Sequence, residues 1–113
     1  MLASVAAVLA LIDAGEQPDR AQLKVAVKDS LVLLVERAPG RSVEVRIPPF
    51  AAVQAIPGAT HRRGTPPAVV ETDPVTWLQL CTGALDWAEA CRTGRVRASG
   101  ERSDLSPWLP LTA

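Results

Sequence analysis

A chain of 113 residues, 48% of them hydrophobic, can bury one core and is too apolar to stay disordered. Twelve basic residues balance twelve acidic ones, and the only local basic cluster is His61-Arg62-Arg63, which argues against a nucleic-acid partner. Aromatic residues make up only 4% and Tyr is absent, so Ala, Val and Leu must fill most of the core. Trp77, Trp87, Trp108 and Phe50 are the few large side chains.

Residues 2–14 alternate Leu, Val, Ala and Ile with almost no polar face, which predicts a helix covered on more than one side. The apolar start lacks the basic end of a signal peptide. It is also shorter than the roughly 20 residues that span a bilayer, so a buried helix is expected, without stable membrane insertion. Gly15-Glu16-Gln17-Pro18 breaks it. Residues 1–18 thus read as an N-terminal helix and turn, and residues 19–113 as the rest of a single domain. Asp19 caps a second helix to about Arg37, with Leu23, Val27, Leu31 and Leu34 inward and Arg20, Lys24 and Lys28 on the wet side. Pro39-Gly40 stops it.

Val43, Val45 and Ile47 alternate with Glu44 and Arg46, the pattern of a strand with one apolar and one charged face. Pro48-Pro49 forces a turn. Residues 51–56 follow as a second strand and residues 68–72 as a third, with a loop between them. Asp73-Pro74 starts a helix, by a capping side chain and then proline at its first position. That helix carries Val75, Trp77, Leu78 and Cys81 and stops at Gly83. Asp86 opens another, with Glu89 placed for a capping box, Trp87, Ala90 and Cys91 inward, and Gly94 at its end. Residues 95–99 form a last strand, and Leu105, Trp108 and Leu109 a short C-terminal helix limited by Pro107 and Pro110.

Cys81 and Cys91 fall in separate helices and read as buried, inert thiols in a reducing, cytoplasmic compartment. With one histidine and no CxxC pair, a zinc site lacks ligands. No Gly-x-Ser-x-Gly elbow, P-loop or GxGxxG is present, and any histidine-dependent triad would hang on His61 alone. Neither an enzymatic activity nor a cofactor or metal is expected.

Val69-Val70-Glu71-Thr72, Leu80-Cys81-Thr82-Gly83, Trp87 to Gly94, Val96 to Gly100 and Leu105 to Leu111 follow in an order that resembles the C-terminal half of the sterol carrier protein type 2 family. Ser42 to Pro49 and Arg63-Gly64-Thr65-Pro66-Pro67 resemble a branch of short actinobacterial sterol carrier family proteins. The resemblance covers about residues 20–111. It implies an α+β fold, a mixed, mainly antiparallel sheet with helices packed on one face. It also implies a lipid or other apolar small molecule held between sheet and helices. The residues expected to line that cavity are Val45, Ile47, Val53, Val70 and Val96 from strands. Leu31, Leu34, Trp77, Leu78, Leu105, Trp108 and Leu109 would come from helices, with access gated around residues 105–109. A dry void of ~300 Å³ would cost on the order of 7 kcal/mol, against a total stability of roughly 5–15 kcal/mol. A persistent pocket must therefore be filled, hydrated or partly collapsed.

Two polar features stand beside it. Glu44, Arg46, Glu71, Arg95 and Arg97 should project from the outer sheet face, where cross-strand ion pairs or a docking surface are expected. His61, Arg62 and Arg63, beside Gly64, form a candidate anion-binding loop. The leading expectation is a non-enzymatic apolar binder. The alternative is a protein-interaction or homodimerisation domain with a collapsed core.

Overall fold

In a computed structural model the described residues are 2–58, 68–100 and 102–112. Four helices, α1 (Ala3–Asp13), α2 (Arg20–Arg37), α3 (Pro74–Thr82) and α4 (Trp87–Arg92), combine with four strands, β1 (Val43–Ile47), β2 (Ala51–Ala55), β3 (Ala68–Thr72) and β4 (Val96–Ser99). A 3-10 turn, Ser106–Trp108, stands in place of the expected terminal helix. Strand order is β2-β1-β3-β4, with β1–β2 and β3–β4 antiparallel and β1–β3 parallel. The fold is α+β with a mixed, mainly antiparallel sheet, as expected.

Local chemistry explains the helix starts. Asp19 closes a full capping box: its Oδ1 accepts from the Gln22 amide at 2.8 Å, and Gln22 Oε1 accepts from the Asp19 amide at 2.9 Å. Asp73 Oδ2 accepts from the Thr76 amide at 3.0 Å, and Pro74 occupies the first helical position. Asp86 Oδ2 accepts from the Glu89 amide at 3.3 Å, but the reciprocal bond expected there is absent. The Glu89 carboxylate turns instead to Arg92, one turn on, at 2.6 Å, because an ion pair is the stronger partner for it.

Strand register sorts the sheet. Val43, Val45 and Ile47 pair with Ala55, Val53 and Ala51 on one face, which continues through Ala68, Val70 and Val96. These strand residues share one core cluster with Leu31, Leu34, Trp77, Leu78, Leu80 and Ala90 of the helices. α2 contacts β2, α1 and α3, while α4 contacts β4. Trp77 is fully buried, and its indole Nε1 donates to Ser30 Oγ at 2.9 Å. Ser30 Oγ in turn donates to the Val27 carbonyl at 2.8 Å.

α1 departs from expectation. Only Val5 and Val8 are buried, and Ala3, Ala7 and Ala10 face solvent. An alanine-rich helix needs cover on one side only, since an exposed methyl costs little. No helix of the described residues is long and apolar enough to cross a membrane.

Candidate functional site

α2 and β2 build an apolar concavity. Leu31, Val32 and Val35 of α2 face Ala51 and Val53 of β2 across a groove of about 430 Å³, with Lys28 and Glu36 at its rim. The groove follows from two periodicities. α2 presents Leu31 and Val35 one turn apart, and β2 presents Ala51 and Val53 on the same face of the sheet. Among the described residues β2 is an edge strand, and no further described strand pairs with its far side.

Of the twelve residues expected to line an internal cavity, nine are buried in the shared core: Leu31, Leu34, Val45, Ile47, Val70, Trp77, Leu78, Val96 and Leu105. Val53, Trp108 and Leu109 are partly buried against that core. Leu31 and Val53 meet in the α2–β2 groove, while Leu109 lies in a separate cavity of about 220 Å³ with Leu80, Leu85, Trp87 and Pro110. Sequence reasoning missed Val32, Val35 and Ala51. Val32 and Val35 break the polar side of α2, and that was the available signal.

The segment expected to act as a gate is fastened down. Leu105 and Leu111 are buried on either side of the 3-10 turn. The amides of Leu111 and Thr112 both donate to the Cys81 carbonyl, at 2.8 and 3.1 Å. Arg37 Nη1 donates to the Leu111 carbonyl, which ties the tail to the end of α2.

On the outer sheet face Arg46 pairs with Glu44 along β1, and Glu71, its register partner on β3, adds attraction across the strands. Arg46 Nε donates to Glu44 Oε1 at 2.8 Å. This hydrogen bond holds the Glu44 carboxyl below its ordinary pKa. Residues i and i+2 of one strand share a face, so the two side chains can meet without a partner strand. Arg95 leaves that row. It stands before β4 begins, and its guanidinium donates to Thr76 Oγ1 at 3.0 Å and Gln79 Oε1 at 2.7 Å, both on α3.

Both cysteines are free. Cys81 is buried, and burial pushes its thiol well up. Cys91 is only half-buried, against expectation, and its thiol is raised by burial and by the Asp104 charge. Among the described residues, no three His, Cys, Asp or Glu side chains gather to hold a metal. His61, Arg62 and Arg63 lie outside the described residues.

A comparison with curated proteins found no match. A family model described as bacterial SCP ortholog matches residues 19–111, which span every element from α2 to the 3-10 turn. The chain belongs to this bacterial branch of the sterol carrier protein (SCP) family.

Proposed function

We propose that this domain binds a lipid or other apolar small molecule without transforming it, in the groove between α2 and β2. The observation that carries the reading is the groove's lining, five apolar side chains with charge only at the rim. Its volume of about 430 Å³ falls within the range of small-molecule sites. An open groove also avoids the cost of a dry internal void, because water or ligand can fill it. From Lys28 to Glu36 the helix offers roughly 12 Å of wall at 1.5 Å per residue, room for part of an acyl chain. The family match supports an apolar ligand of this kind. Two free thiols accord with a reducing, cytoplasmic setting.

Displacement of a fluorescent fatty acid tests the reading. Wild type is expected to bind saturably. Val53→Asp places a charge against the apolar floor and should weaken binding at least tenfold, about 1.4 kcal/mol, with an unchanged circular dichroism spectrum. Ala51→Phe should do the same by filling the groove. If wild type takes up neither fatty acids nor sterols, or both variants bind as wild type does, the carrier reading fails.

The second reading is an interaction domain with a collapsed core. It is favoured by the burial of nine expected lining residues in one packed cluster. It predicts no co-purifying lipid in native mass spectra.

A further inference from the structure

α2 carries an apolar ridge on the side turned away from the core. Among the described residues, Val25 and Val32 are the large apolar side chains that stand exposed, at 52% and 59%. Lys28 lies between them and Glu36 one turn beyond, both exposed. At 3.6 residues per turn these four positions fall within roughly an 80° arc, opposite Val27 and Leu34, which enter the core. Among the described residues neither Lys28 nor Glu36 has an ion-pair partner. Shallow apolar concavities flank the ridge on both sides. One is the α2–β2 groove, and the other, of about 300 Å³, is bounded by Ala7 and Val8 of α1 and by Ala21 and Val25.

The order of the charges points to the occupant. Lys28 stands four residues before Val32, and Glu36 stands four after it. Suppose α2 is laid antiparallel on itself about a two-fold axis through Val32. Val32 then meets Val32, and Lys28 of each copy comes opposite Glu36 of the other. A parallel alignment would instead set Lys28 against Lys28. A two-fold interface uses one patch twice, so a single complementary spacing yields two ion pairs. We propose that a second copy of this chain docks on this ridge, α2 against α2 and antiparallel, to form a homodimer. A stable interface buries about 800 Å² per partner, more than one helix ridge supplies. The flanks on α1 and β2 must contribute, and the dimer belongs to the weak, concentration-dependent class. The rim charges set its register more than its strength.

This association needs no ligand, so the full chain is tested after lipid extraction, by sedimentation equilibrium over a concentration series up to millimolar. Wild type is expected to pass from monomer to dimer. Lys28→Glu and Glu36→Lys each set like charges opposite one another, and each should move the midpoint at least tenfold to higher concentration. The double variant Lys28→Glu/Glu36→Lys should return it to the wild-type position. Val32→Asp, at an exposed site, should leave a monomer with an unchanged circular dichroism spectrum. A monomer at every concentration, single reversals without effect, or a double variant no better than the singles overturns the proposal. Lys28, Val32 and Glu36 also line the α2–β2 groove, so the second copy covers it and competes with a ligand there. Fatty-acid uptake is therefore read at concentrations where the chain is monomeric, so that loss of the dimer with uptake retained and loss of uptake with the dimer retained are told apart.

Discussion

Ile56 and Gly40 hold the corner where α2 ends, β1 begins and β2 ends. Ile56 has a positive φ of 75°, unusual for a β-branched residue and costing about 1–3 kcal/mol. Its surroundings hold it there. Its amide donates to the Ala38 carbonyl at 2.7 Å, and its carbonyl accepts from the Ser42 amide at 3.2 Å and Ser42 Oγ at 2.7 Å. Gly40 passes so close that any Cβ would overlap the Ile56 carbonyl, and its own φ of 153° also excludes side chains. Gly40→Ala should therefore destabilise the fold by about 1–3 kcal/mol, read as a fall in the urea midpoint. In the core, Ser30→Ala leaves the buried Trp77 indole N–H without its acceptor. The expected cost is about 1–3 kcal/mol. Adding Trp77→Phe should cost less than the two single changes summed, because both polar partners then leave together. Neither contact was legible in sequence. Gly40 reads as a helix stop, and nothing local announces that Ile56, sixteen positions on, will close over it. Ser30 and Trp77 are likewise joined only by the packing of α2 on α3.

At the scale of elements, capping and alternation carried most of the information. Asp19, Asp73 and Asp86 mark their helix starts because a short side chain there accepts an otherwise unpaired amide. The Val43-Val45-Ile47 row marks the inward face of β1, since successive strand residues point to opposite sides. Arg95 shows where alternation stops informing. It continues the pattern of Arg97 in sequence, yet it precedes the strand and bonds to α3. α2 shows a second limit. Its four-three spacing identifies the buried stripe, but a single periodicity says nothing of a second apolar row, Val25 and Val32, on the opposite side. The tail shows a third. Leu111 falls beyond Pro110, outside the expected helix, and it is a buried plug pinned to Cys81 and Arg37. Leu111→Ala should cost about 2–5 kcal/mol, and hydrogen exchange should show faster exchange at the amides of Leu111 and Thr112.

Over the whole molecule, a core poor in aromatic residues is closed by leucine, valine and alanine side chains and by one fully buried tryptophan. Strand and helix residues share one buried cluster, and the apolar groove lies beside it, where the strand β2 meets α2. The expected site therefore overlaps the groove in Leu31 and Val53 and diverges elsewhere. Inward periodicity alone does not separate a packed core residue from a ligand contact. α1 lies outside the residues matched to the family and packs on α2, with Val5 and Val8 buried. Titration of isotopically labelled protein with a medium-chain fatty acid, followed by amide NMR shifts, tests the binding site most directly. The account predicts saturable shifts concentrated at residues 28–36 and 51–55. Shifts confined to residues 105–110 with α2 unmoved, or no saturable shift at all, would contradict it.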